Sequence, residues 1–213
     1  MKPVLASGPF ASNRLVAYNN AYMEAYVELS NKDIIKDTDP RIREHSEDVE
    51  LPLSEENREL LLAMHQYVAD SQVPELAEEK DLSPAVGIAA IQLGIPKKMI
   101  AVVVPSDEED VEDLHLALAN PKIISRSAKL GFLKNGEGCL SVPDAHEGIV
   151  CRPMRIKVRA YDLLTDQNVV ITAQGYEAVV LQHEIDHLSG KLFYDHIDPQ
   201  NPWHVPANAN EVD

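Results

Sequence analysis

Residues 176–190 read Tyr-Glu-Ala-Val-Val-Leu-Gln-His-Glu-Ile-Asp-His-Leu-Ser-Gly. Apolar residues recur there at helical spacing, which predicts a helix over 176–189, with Gly190 closing it as the glycine just past its end. On that helix His183 and His187 stand four residues apart, so they share one face and can share one metal ion. Glu184, beside the first histidine, is placed to act as general base on water at that metal. The five-residue pattern alone leaves a plainer alternative open: two surface histidines and an acid.

Upstream the character changes. Arg155 to Tyr161 alternates polar and apolar residues, the mark of a half-buried strand, and Val169 to Thr172 is a second strand joined to it by a turn around Asp166. Met99 to Val104 is a short β-branched run and predicts a buried strand. Leu116 to Ser125 predicts another, broken at Pro121. Before these, Ser54 is a good N-cap, with Glu55 and Glu56 in the favourable first turn. Leu60, Leu61, Met64, Tyr67 and Val68 follow at helical spacing, so 54–71 is a helix. One helix, several strands and a late helix give an α+β fold: mostly antiparallel sheets packed around a C-terminal helix that bears the histidines. Residues 1–198 read as a single catalytic domain in which 1–30 form an N-terminal extension, loosely helical over 14–31. Residues 31–52 read as loop and 199–213 as a polar, proline-rich tail.

A chain of 213 residues is long enough for one domain with a sizeable core. Its formal net charge of -16 repels phosphate backbones, so direct nucleic-acid binding is not expected. Part of that charge is the run Asp107-Glu108-Glu109-Asp110 with Glu112 and Asp113, read as a solvated loop. No apolar run approaches the roughly 20 residues that span a bilayer, and the N-terminus does not read as a secretory signal. A cytoplasmic protein without a membrane partner is the expectation. Cys139 and Cys151 do not suggest a disulfide framework, and in a reducing compartment both begin as thiols.

Two further segments bear on the histidine pair. In Glu137-Gly138-Cys139-Leu140-Ser141, the Cys139 thiolate could complete a three-ligand site with one open position. The alternative is a buried structural cysteine. In Val86-Gly87-Ile88-Ala89-Ala90-Ile91-Gln92, small residues let a ligand approach the backbone, and the Gln92 amide could stabilise an oxyanion.

Together GIAAIQ (87–92), EGCLS (137–141) and QHEIDH (182–187) resemble the peptide deformylases, and the resemblance runs over about residues 33–198. The acidic insertion is similar to the longer form of that family found in many Gram-positive bacteria. The resemblance implies that Cys139, His183 and His187 bind one divalent metal, Fe²⁺ in the cell and replaceable by Zn²⁺, Ni²⁺ or Co²⁺. It implies that Glu184 is the general acid/base, and that Gln92 and the backbone N–H of Leu140 form the oxyanion hole. Val86, Gly87 and Gly138 would lie along a substrate backbone that adds as a strand, with Val179, Val180 and His183 around the methionine side chain. The implied partner is the formyl-Met N-terminus of nascent polypeptides, and ribosome association is compatible with that. Two positions depart from the family pattern: Ala85 stands where a glycine is usual and Ile91 where proline or threonine is common. A position that needs φ > 0 would be strained by Ala85.

Two other readings stay open at this stage: a non-catalytic relative that keeps the fold as a metal-binding module, and a zinc peptidase of the HExxH type whose third ligand lies downstream, near Asp195 or His196. We also expect Glu137 to pair with Arg152 and hold the Cys139 strand, and Cys151 to be structural.

Overall fold

The computed structural model describes residues 27–106 and 111–212. The helical reading of 14–31 falls mostly outside these residues, as does the acidic run 107–110. The first helix, α1, is Glu55–Ser71, and the Ser54 hydroxyl caps it by accepting from the Asn57 N–H at 3.3 Å. All five apolar positions read at helical spacing are buried. A short helix α2, Pro74–Glu79, follows; its leading proline fixes φ where no N–H is needed.

The strands are β1 (Gly87–Ala89), β2 (Met99–Val104), β3 (Leu114–Arg126), β4 (Leu130–Phe132), β5 (Arg152–Pro153), β6 (Arg155–Asp162), β7 (Gln167–Gln174) and β8 (Ala209–Glu211). The late helix, α3, is Gly175–His187. One sheet has the order β1-β2-β3-β6-β7, antiparallel throughout, and a smaller one has the order β5-β4-β8.

Two apolar layers sandwich the larger sheet. Ile100, Val102, Leu116, Leu118, Ile156 and Val158 belong to one cluster with Ala178, Val180 and Leu181 of α3. Met99, Ala101, Val103, Ala117 and Ala119 belong to a second with Leu61, Met64 and Val68 of α1. Strand β2 is therefore buried on both faces, which is why its sequence is continuously apolar rather than alternating. Strand β6 keeps one face exposed and alternates.

Three local readings change. Pro121 does not break its strand: β3 runs through it, with register shifts between Ala119 and Lys122 and between Ile123 and Ser125. An irregularity of that kind accommodates a residue that cannot donate to the ladder. Helix α3 ends at His187 with Leu188 as its C-cap, so Gly190 lies beyond the C′ position. Gly190 has φ 68, and a Cβ there would strike the Arg43 carbonyl oxygen, so close chain approach requires the glycine. The stretch read as a polar tail contains β8, which pairs parallel with β4 and carries Val212 into a buried position. Residues 31–52 are loop apart from 3-10 turns at Asn31–Asp33 and Pro40–Arg43 and isolated bridges. Among the described residues no helix is long and apolar enough to cross a membrane.

Candidate active site

Three chain segments converge on the buried end of α3. The helix contributes His183, Glu184 and His187. The loop after β4 contributes Glu137, Gly138, Cys139, Leu140 and Ser141. The third is β1 with the 3-10 turn Ala90–Leu93 behind it, which supplies Gly87 and Gln92. One ligating atom each from Cys139, His183 and His187 lie within 4.8 Å of one another. Cys139 Sγ stands 3.4 Å from His187 Nε2. The Nδ1 of His183 faces Glu137 Oε2 at 2.8 Å, which leaves its Nε2 for the site.

These residues fit a divalent metal. One sulfur and two imidazole nitrogens are the donors a first-row cation takes at roughly 2.0–2.3 Å, and ligands around such an ion stand a few ångströms apart. His187 is buried with Nδ1 lacking a hydrogen-bond partner, and burial pushes its pKa well below the usual histidine value. A neutral imidazole in that position is ready to ligate. His183 goes the other way: burial works against its charge, but the neighbouring Cys139, Glu137 and Glu184 outweigh it and raise its pKa. A field that favours a proton there also favours a cation.

Behind the candidate ligands runs a buried ion-pair network. Burial pushes the Glu137 carboxyl up, yet hydrogen bonds from His183 and Arg152 hold it down to about 2. Arg152 binds it bidentately, Nε to Oε1 at 2.6 Å and Nη2 to Oε2 at 2.9 Å. The pairing of Glu137 with Arg152 anticipated from the sequence is therefore present. Arg152 Nη1 also reaches Asp186 Oδ2 at 2.7 Å, and Asp186 meets His196 Nε2 at 2.7 Å. Those two partners were not foreseen. The signal for Asp186 was its place three residues after His183 on the same helix, but nothing in the spacing names Arg152 as its partner.

Glu184 is buried and its Oε2 has no hydrogen-bond partner. Burial pushes its carboxyl up to about 7. Gly87 lies against it: a Cβ on residue 87 would come 2.5 Å from Glu184 Oε1. Gln92 is also buried. Its Oε1 accepts from the Ala89 N–H at 2.8 Å, and its Nε2 points at Ser141 Oγ, 3.2 Å away, and Cys139 Sγ, 3.6 Å away. With its carbonyl oxygen tied back, the amide can present only N–H to the Cys139–Ser141 loop. Ser141, fully buried, is a further residue the sequence reading did not single out.

A cavity of about 790 Å³ opens over this constellation. Val86, Gly87 and Gln92 line one wall and Gly138, Cys139 and Leu140 another. The helix supplies Val179, Val180, His183 and Glu184. His187 lies behind them, 1% exposed. A Cβ on Gly138 would meet nothing within 4 Å, so that glycine leaves open space. Ala85 is not strained: the described non-glycine residues with positive φ are Asp81, Asn120 and Asp166. Ile91 is fully buried in the α3-side core. Cys151 is half-buried, outside the ligand cluster, with its thiol pushed up by burial.

The family model described as Polypeptide deformylase matches residues 31–203. Peptide deformylase 2 of Bacillus subtilis (strain 168) is 44% identical over 185 residues, covering 87% of this chain and 99% of its own. The peptide deformylase of Oceanobacillus iheyensis is 41% identical over 184 residues, 86% of this chain and 99% of its own. Among solved structures, peptide deformylase from Ehrlichia chaffeensis superposes with a TM-score of 0.64 at 32% identity, covering 82% of this chain and 90% of that one. The chain belongs to the polypeptide deformylase family.

Proposed function

We propose that Cys139, His183 and His187 hold one divalent metal and that Glu184 carries the proton of a hydrolysis at that metal. The reaction is the deformylase one: removal of the N-formyl group from the initiator methionine of nascent proteins. The observation that carries the residue assignment is Glu184 itself, a buried carboxylate with an unpartnered oxygen beside a three-ligand cluster, facing a cavity.

A cation held there supplies Lewis acidity, polarising a carbonyl oxygen and making water easier to deprotonate. Glu184 takes a proton from the attacking water, and the water oxygen bonds to the formyl carbon. The Gln92 Nε2–H and the Leu140 N–H donate to the formyl oxygen as it becomes negative. The C–N bond breaks, Glu184 returns its proton to the departing nitrogen, and formate and a free N-terminus remain. A carboxyl near neutrality suits both transfers, because it neither holds the proton too weakly nor too tightly.

Strand β1 is the edge of its sheet, pairing with β2 among the described strands. Its free edge can take an extended substrate backbone along Val86 and Gly87, with Gly138 opposite. Val179 and Val180 then border the methionine side chain. A formyl carbon bears only hydrogen, so a close-fitting site admits it and rejects bulkier acyl groups.

We take Fe²⁺ as the native ion on the family resemblance; the thiolate–imidazole set also accepts Zn²⁺, Ni²⁺ or Co²⁺. The catalytic domain, which includes β8 of the C-terminal stretch, is taken to act on nascent chains in the cytoplasm. The test is formate release from a formyl-Met peptide, with acetyl-Met and unblocked peptides as controls, and metal content measured on the same anaerobic preparation. Internal cleavage of the unblocked peptide would move the assignment to a peptidase. Silence of metal-replete protein on all three would leave a non-catalytic relative.

A further inference from the structure

The segment 34–37 ties together the two loops that hold the proposed oxyanion donors. The Ile35 N–H donates to the Gln92 carbonyl at 2.8 Å, and the Asp37 N–H donates to the Ser141 carbonyl at 2.8 Å. Between them the Lys36 ammonium donates to the Leu140 carbonyl at 2.8 Å. Gln92 and Leu140 belong to segments far apart in the chain. Apart from this strap, the hydrogen bonds described between them come from the Gln92 side chain alone.

The Leu140 carbonyl is a soft point. Residues 139–142 form a turn closed by the Val142 N–H on the Cys139 carbonyl at 3.0 Å. In such a turn the central peptide, here between Leu140 and Ser141, is the unit that flips between types I and II. The turn's own hydrogen bond does not restrain that flip. Lys36 does, because it grips the carbonyl of the central peptide, while Asp37 grips the next one. Lys36 is half-buried and lines the cavity, so its stem is held while its ammonium reaches in.

We propose that Lys36 is a positioning residue for the deformylation step: by holding the Leu140 carbonyl, with the Ile35 and Asp37 N–H groups on either side of it, it docks the 139–142 turn against the Gln92 segment and so fixes where the Leu140 N–H, on the preceding peptide, stands relative to the Gln92 amide. The proposal rests on the reading of Gln92 and Leu140 as oxyanion donors. Nothing in the residue pattern points to Lys36, because the contact spans 104 positions of sequence.

The experiment compares metal-replete full-length Lys36→Met, Lys36→Gln, Lys36→Arg and Gln92→Ala on a formyl-Met peptide, resolving kcat from KM. Loss of a donor's alignment rather than of the donor should lower kcat about 10–100-fold in Lys36→Met, with KM near wild type. Metal content and melting temperature should be unchanged. Lys36→Gln, too short to reach the carbonyl, should behave as Lys36→Met does and serves if that variant is poorly folded. Lys36→Arg, which keeps a long cationic donor, should recover most of the loss. Gln92→Ala should lose about 10²–10³-fold. Wild-type kcat in both Lys36→Met and Lys36→Gln, alongside a crippled Gln92→Ala, overturns the role of Lys36 and leaves the oxyanion hole standing. Wild-type kcat in Gln92→Ala as well removes the oxyanion reading. A loss seen only in metal content or only in KM also overturns the proposal.

Discussion

Gly87 and Glu184 are in van der Waals contact across the cavity wall, and the contact tolerates no side chain on residue 87. A Cβ there would lie 2.5 Å from Glu184 Oε1 and 2.8 Å from its Cδ and Cγ. Gly87→Ala should therefore displace the carboxylate and not the sheet, since the far end of a flexible side chain is what must move. The expected result is a loss of about 10²-fold in kcat from misplacement of the proton carrier, with metal still bound. Formate release together with metal analysis checks it; an unimpaired Gly87→Ala would mean that Glu184 has another productive position.

Glu184→Gln separates chemistry from binding. Glu184 is not in the ligand cluster, so the metal should stay, while an amide can neither accept nor return the proton. A drop of about 10²–10⁴-fold in formate release is expected from the acid–base step. Loss of the metal along with activity would show that the carboxylate supports the ion instead.

The Glu137 carboxylate joins His183, a proposed metal ligand, to Arg152, touching His183 Nδ1 at 2.8 Å. Glu137→Gln keeps the shape but removes the charge that orients the imidazole and neutralises the buried guanidinium. Metal affinity should weaken about 10–100-fold. Competition with a chelator measures it, and an unchanged dissociation constant would contradict the orienting role.

Cys151 should prove dispensable. It lies outside the ligand cluster and its thiol is pushed up by burial, away from the reactive thiolate. Cys151→Ala and Cys151→Val should bind metal and release formate as the parent does. Absence of metal from the folded Cys151→Val protein would reverse the assignment.

His65, on α1, meets His115 of β3 through Nε2 and Nδ1 at 3.1 Å. Burial, and then the neighbouring His115, lower its pKa from 6.5 to about 4. The unfolded chain therefore takes up this proton at a higher pH than the folded one. The contribution to stability is complete above about pH 6.5, erodes as pH falls, and has gone by about pH 4. Its size from linkage is on the order of 3 kcal/mol. Denaturant unfolding of wild type and His65→Leu across that window should show a stability difference that changes with pH. A constant difference would mean that His65 titrates normally in the folded state.

Local order was legible before the structure. The period of Leu60, Leu61, Met64, Tyr67 and Val68 gave α1 with its Ser54 cap, because amphipathic spacing and capping act within a turn or two of chain. The alternation in β6 and the apolar run of β2 reported how many of their faces are buried. The i, i+4 pair of His183 and His187 needed only a helix to become two arms of one site, and the two further motifs supplied the rest of the resemblance.

Contacts between distant segments were less accessible. Cys139 and His187 stand 48 positions apart, and only the stacking of α3 on the sheet brings sulfur and imidazole together. The course of β3 through Pro121 depends on a register with β6 that neither strand encodes alone. The parallel pairing of β8 with β4 recruits a polar stretch whose composition reads as tail. Gly190 suggested a helix end, yet the nearby Arg43 backbone is what requires it. Residue types and their short spacings are enough to determine most elements and the candidate ligand set. Tertiary structure alone decides which groups surround that set: Arg152 and Asp186 behind it, Gly87 against Glu184, Lys36 on the Leu140 carbonyl. Those choices follow from how whole elements pack, and a sequence period carries no record of the partner on the other side of a contact.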